Sequence, residues 1–215
     1  YPNEVLPYKG NFIQRHAQAV SLYCNVICLS VQSRIQKEDY IIDKKLNNGV
    51  LEIIVYYKKL ISNSWFSYLR KTIRYHTFFN YGYKVALKEF SNIDIVHLNV
   101  TLPAGLFTLY LKNKFKIPFI ITEHSSVYLN ESPFNHSIIE RFLIKKIVSK
   151  ASIICPVSIN LKQAMLNRDL KGNYKIVSNA VNTKVFNYKP KIDNNKISIL
   201  HISYLRALKN PIGIL

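Results

Sequence analysis

The chain has 215 residues, 48% hydrophobic and 20% charged, a balance that supports a sizeable core. It excludes disordered, collagen-like and disulfide-scaffold classes. Thirty Lys and Arg against twelve Asp and Glu leave a net charge of +18 and an isoelectric point near 9.8. Such an excess calls for a polyanionic neighbour: nucleic acid, an anionic membrane face or a phosphate-bearing substrate. Its bias toward Lys, with abundant Asn and Ile, also fits AT-rich codon usage.

The first residues, Tyr-Pro-Asn-Glu, carry neither a basic start nor an apolar signal core, and the opening on Tyr1 rather than Met leads us to expect a preceding segment. Residues 11–21 have helical period, with Ile13, Ala17 and Val20 on one side and Gln14, Arg15 and Gln18 on the other. The longest apolar stretch, 20–31, is shorter than the ~20 residues of a membrane span and contains Asn25. The chain is therefore expected to be cytoplasmic, free or on the inner face of the cytoplasmic membrane. Cys24, Cys28 and Cys155 lie in apolar runs and read as reduced, buried thiols. No Cys or His pair stands near Cys24 and Cys28 to complete a zinc site.

Short Ile-, Val- and Leu-rich runs recur at 25–31, 51–56, 93–98, 117–122, 152–157, 175–177 and 197–202. They are nearly all apolar, as strands covered on both faces must be. Between them lie helical patterns: 64–90, long and rich in Tyr and Phe, as one helix or two; 103–113, with Pro103 in the first turn; 136–149, with Ile139, Phe142, Leu143 and Ile147 inward; and a helix capped by Ser158. Strands alternating with helices of this length predict an α/β fold with a doubly wound parallel sheet. The segment 187–196 is polar, contains Pro190 and has no apolar period, so it reads as an interdomain linker. The strand at 197–202 would then open a second domain.

Nucleotide-binding glycine loops, zinc-protease and hydrolase motifs are absent. In an open parallel sheet, ligands collect at the carboxyl ends of strands. Four strand runs end in polar groups: His97 and Asn99; Glu123, His124 and Ser125; Ser158; and Asn179. Together they predict one polar cleft. Taken singly, His97 reads as a strand-end histidine, Glu123 as a partner for a backbone N–H, Ser158 as a helix cap and Asn179 as a turn-former. His16, His76 and His136 are expected at the surface, and the Lys pairs at 44–45, 58–59 and 145–146 as solvated faces.

These residues resemble a known family. The string Thr-Glu-His-Ser-Ser at 122–126, Asp-Ile-Val-His at 94–97 followed by Pro-Ala-Gly at 103–105, and Pro-Val-Ser at 156–158 are similar to glycosyltransferase family 4. So is Ile-Val-Ser-Asn-Ala-Val-Asn-Thr-Lys-Val-Phe at 176–186, with Ala180 and Asn182 where the family has Gly and Asp. His-Ile-Ser-Tyr-Leu at 201–205 looks like the first strand of that family's second domain, with Ser203-Tyr204 in place of Gly-Arg. Lys-Gly-Asn-Phe at 9–12 resembles the glycine loop after its first strand, which is expected to be missing here.

The resemblance implies a GT-B enzyme of two Rossmann-like domains, without a required metal or cofactor. Residues 1–186 would form the acceptor-side domain, 187–196 a linker and 197–215 the start of the donor-binding domain. A sugar would pass from a nucleotide-sugar to a glycan or lipid-linked acceptor with retention of configuration, in cell-envelope polysaccharide or glycolipid synthesis. His124 and Glu123 would be the catalytic pair. Gly10, Asn11, Arg206 and Lys209 would face the donor diphosphate. His97, Asn99, Ser125, Ser158 and Asn179 would line the acceptor side. Peripheral contact with an anionic membrane is expected, and no specific nucleic acid. The fragment alone would be inactive. The competing readings are a basic nucleic-acid-binding module and a non-catalytic scaffold of the same α/β class.

Overall fold

The computed structural model describes residues 1–3, 8–61, 65–129, 136–183, 185, 186 and 213. By internal contacts the chain divides into two units, Tyr1–Val181 and Asn182–Leu215. In the second, the Val185 and Phe186 N–H groups both donate to the Asn182 carbonyl in a short turn. The expected linker at 187–196 and strand at 197–202 lie outside the described residues.

The first unit opens with helix α1 (Asn11–Val20), entered through Gly10 at φ 68°, a left-handed conformation that glycine adopts without a Cβ penalty. Strand β1 (Val26–Arg34) follows, then β2 (Tyr40–Asn47) and β3 (Val50–Lys58). β1 pairs parallel with β3, Cys28 opposite Glu52, whereas β2 pairs antiparallel with β3, Asn47 opposite Val50. The hairpin between them turns on Asn48 and Gly49 at φ 47° and 79°, the two positive values a tight primed turn requires. The sheet is therefore mixed, with an antiparallel edge that the apolar-run reading passed over. β2 carries Asp43, Lys44 and Lys45, which break its apolar pattern as charges on an edge strand do. Those lysines do more than meet water: Lys44 pairs with Glu89 at 2.7 Å and Lys45 with Glu52 at 3.5 Å.

The 64–90 pattern forms one helix, α2 (Trp65–Glu89), laid over β1 and β3. Its aromatic residues build the core there: Phe78 stacks on Tyr57 at 4.9 Å, and Phe79 meets Phe107 at 5.3 Å. Gly82 sets the approach, since a Cβ at that position would press into the Leu29 side chain and lie 2.9 Å from Val55 Cγ2.

Then come β4 (Val96–Asn99), α3 (Gly105–Phe115), β5 (Phe119–Glu123), a 3-10 turn (Ser126–Tyr128), α4 (Ile138–Lys150), β6 (Ile153–Pro156) and α5 (Ile159–Leu166). The strands make a second, parallel sheet in the order β4-β5-β6, with Asn99 opposite Thr122 and Glu123 opposite Pro156. Phe119, Ile121, Ile144, Ile147, Ile154 and Met165 fill its core. Residues 173–177 run beside β6 through three backbone hydrogen bonds, and among the described residues they form one bridge, Ile154 to Tyr174, rather than a strand.

Several local expectations change. Pro103 precedes α3, and the Leu102–Pro103 bond is cis. α4 starts with a reciprocal cap between Ser137 and Glu140, but Ile139 and Phe142 are 71% and 65% exposed. Its first turns are apolar on more than one side, and contact with β5 and β6 selects Ile144, Ile147 and Val148 instead. Cys155 is buried and Cys28 half-buried, burial raising both thiols, Cys28 to about 12; Cys24 is exposed in the turn after α1. His16 is buried at 7% exposure, and His76 and His136 are half-buried.

Candidate functional site

The carboxyl ends of β4 and β5 lie side by side because those strands pair in parallel register. After Asn99 the chain bends through Val100 at φ 67°, a strained conformation for a β-branched residue. The bend delivers Thr101 to Glu123. Glu123 Oε2 accepts from the Thr101 N–H at 3.0 Å and from Thr101 Oγ1 at 2.8 Å. Its Oε1 accepts from the N–H groups of His124 at 3.0 Å and Ser125 at 2.9 Å. Burial pushes the Glu123 carboxyl up, and the four donors pull it back in part. With no exposure and both oxygens engaged, Glu123 sits behind the site and clasps the two strand ends. This is the backbone-partner reading of Glu123, with the His124 N–H among its donors.

The clasp fixes the backbone at His124. Its Nε2 lies 3.3 Å from Asn99 Oδ1, and its ring rests on Phe12 of α1 at 4.4 Å and meets His16 edge-on at 5.8 Å. Its Nδ1 is enclosed, without a hydrogen bond to the described residues. Burial holds His124 down to about 4, the fields of His16 and His97 add to that, and the Asn179 side chain acts in the opposite direction. The imidazole is neutral at physiological pH. His97 Nε2 contacts Thr122 Oγ1 at 2.6 Å; although the residue is exposed on the β4 edge, desolvation of its ring, then His16, lowers it to about 4.

His16 Nε2 accepts the Ala180 N–H at 3.0 Å, which ties the Asn179–Ala180 segment to α1; the structure assigns no turn at Asn179. The structure thus brings together His124, Asn99, His97, Asn179 and, through Phe12, the N-terminal turn of α1 with Gly10 and Asn11. Ser125 caps the 3-10 turn through the Val127 N–H at 3.3 Å, and Ser158 caps α5 through the Leu161 N–H at 3.2 Å. In both caps the hydroxyl serves as the acceptor. Arg206 and Lys209 lie outside the described residues.

Phe12, His16 and Thr101 are the residues sequence reasoning missed. Phe12 and His16 are four apart, on one face of the helix behind the glycine loop, and that spacing could have found them. Two surface concavities, of about 210 Å³ beside Arg141, Lys145 and Arg168 and about 160 Å³ beside Tyr57 and Lys71, are lined by none of these site residues. The strand-end site is an open ledge of neutral imidazoles and amides at a helix N-terminus, suited to hydrogen-bonding hydroxyls.

The chain is similar to known proteins in sequence and in fold. An uncharacterized glycosyltransferase of Methanocaldococcus jannaschii is 31% identical over 106 residues, 48% of this chain and 29% of that protein. Sucrose-phosphate synthase from Thermosynechococcus elongatus superposes with a TM-score of 0.53 at 15% identity, over 80% of this chain and 42% of that one. A shorter chain of the same enzyme gives 0.51 at 15% identity, over 82% of this chain and 88% of that one. This chain thus spans less than half the length of the relative and of the longer enzyme chain. The fold is the Rossmann-like α/β domain of GT-B glycosyltransferases. With the Glycosyltransferase Family 4 profile matching residues 25–185, three quarters of its length, the chain belongs to that family.

Proposed function

We propose that this chain is the acceptor-side part of a glycosyltransferase that moves a sugar from a nucleotide-sugar to a glycan or lipid-linked acceptor with retention of configuration, in cell-envelope polysaccharide or glycolipid synthesis. The observation that carries the reading is His124: a neutral imidazole at the paired ends of β4 and β5, against the first turn of α1. A neutral ring can give one hydrogen bond and accept another, and a sugar hydroxyl engages it by displacing Asn99 from Nε2, since Nδ1 is enclosed. The N-terminal turn of α1, entered through Gly10, offers N–H groups and a positive helix end to the departing diphosphate. Arg206 and Lys209 supply cations to the same charge in this reading, so no metal or cofactor is required.

A covalent route to retention needs a carboxylate free to attack the anomeric carbon. Glu123 has both oxygens committed to four donors, so its task here is to hold His124 rather than to attack. The net charge of +18 supports work on phosphate-bearing substrates at the anionic inner face of the cytoplasmic membrane. Among the described residues no helix is long and apolar enough to cross a membrane.

The test is His124→Ala in the protein extended to its full reading frame. Transfer falls by about a hundredfold, the scale for losing one preorganised hydrogen-bonding group, while stability changes little. Near-normal turnover overturns the role of His124. Transfer by the 215-residue chain alone overturns the two-domain account.

A further inference from the structure

His16 has no part in the chemistry described above, yet it is buried and makes a contact across 164 residues of chain. Its Nε2 receives the Ala180 N–H at 3.0 Å, so that nitrogen carries the lone pair and the proton of the neutral ring sits on Nδ1. The acceptor rests on α1, next to Phe12, whose ring supports His124. The donor rests on the segment that carries Asn179, whose side chain interacts with His124. One hydrogen bond thus closes the two supports of the site's imidazole on each other.

We propose that His16 is a positioning residue: its neutral imidazole latches the Asn179–Ala180 segment to α1 and so fixes the surroundings of His124, and protonation of His16 releases the latch. A doubly protonated ring would set an N–H against the Ala180 N–H, and the bond would be lost. Burial already weakens the affinity of His16 for that proton. The titratable groups facing it are His124, after β5, and His97, on β4, both held low, so the cluster is neutral as a whole at physiological pH. Among the described residues no carboxylate facing His16 offsets its protonation: Glu123 is turned to Thr101 and to its own loop. The proposal rests on the reading of His124 as the functional imidazole, but the latch itself can be measured without any activity.

The experiment follows amide hydrogen exchange at Ala180, with Ile154, whose N–H donates to the Asn173 carbonyl, as the control. Exchange is corrected for intrinsic rate and compared among the unsubstituted chain, His16→Gln and His16→Leu. Gln offers an acceptor oxygen that does not titrate; Leu offers none. Protection of Ala180 in the unsubstituted chain falls by about tenfold between pH about 7 and about 4, the scale of one net hydrogen bond. In His16→Gln it is retained and falls with pH no more than that of Ile154, and in His16→Leu it is low throughout, while Ile154 changes alike in all three. Equal protection in the Leu variant, or the same pH dependence in the Gln variant, overturns the proposal. If the Leu variant does not fold, the pH profile of the Gln variant decides alone. In the full-length protein, His16→Leu lowers transfer and His16→Gln restores it. An inactive pair with the expected exchange pattern keeps the latch and rejects its influence on His124. An active His124→Ala protein rejects the functional reading and leaves the exchange result standing.

Discussion

Replacing Glu123 by Gln removes one charge and converts one acceptor oxygen into a donor, in a place where four donors converge. If the new amide nitrogen faces Thr101, the hydroxyl can rotate to accept, but the Thr101 N–H is left without a partner. If it faces the loop, the N–H groups of both His124 and Ser125 are left. The better arrangement therefore orphans one buried N–H, at about 1–3 kcal/mol, and weakens two charge-assisted bonds to neutral ones. Relief of burying a charge offsets part of this. The net cost is about 2 kcal/mol for Glu123→Gln and about twice that for Glu123→Ala, which abandons all four donors. Urea unfolding of the protein and both variants, at matched pH and with unchanged slope, measures it. A Gln variant as stable as the parent would mean that the four donors do not depend on this carboxylate, and the clasp would have to be abandoned.

Acid should loosen the same region. His97 and His124 have their pKa lowered on folding from 6.5 to about 4, so the unfolded chain binds protons first. Their contribution is complete above about 6.5 and is lost as pH falls toward 4, by less than the full linkage value because both are partly open to solvent. Glu123, raised by burial, takes up its proton on folding and opposes the trend in the carboxylate range. Urea midpoints against pH check this, with His97→Asn giving a shallower slope; an unchanged slope refutes it. Gly82→Ala should destabilise by about 1–3 kcal/mol, because the new methyl group meets Leu29 and Val55 and outweighs the gain in helix propensity. A higher melting temperature for that variant would contradict the close seat of α2 on β1 and β3.

The alternation of strands and helices was legible because both signals are local. A run such as Phe119–Glu123 declares itself by composition, and Ser158 by standing ahead of α5. The strand β2 was missed because Asp43, Lys44 and Lys45 conceal its period, although Asn48-Gly49 announced its turn. Ile139 and Phe142 were assigned inward because a helix with apolar residues on several sides has no unique face until its partner is in place.

The polar strand ends at His97–Asn99, Glu123–Ser125 and Asn179 could be read one by one, and their common cleft followed from the rule that parallel strands end on one side. What each residue does there was legible only in part. Glu123 read singly as a partner for a backbone N–H, but which donors it holds depends on Thr101, which reaches it from 22 residues away. His16 looked like surface and is a buried acceptor, because Ala180 returns to it from 164 residues away. The sequence alone determined the α/β class, the family and the strand ends where function gathers, since these depend on near neighbours along the chain. Only the tertiary structure decided which of those groups face a substrate and which hold the others, since burial and protonation depend on partners far apart in the chain.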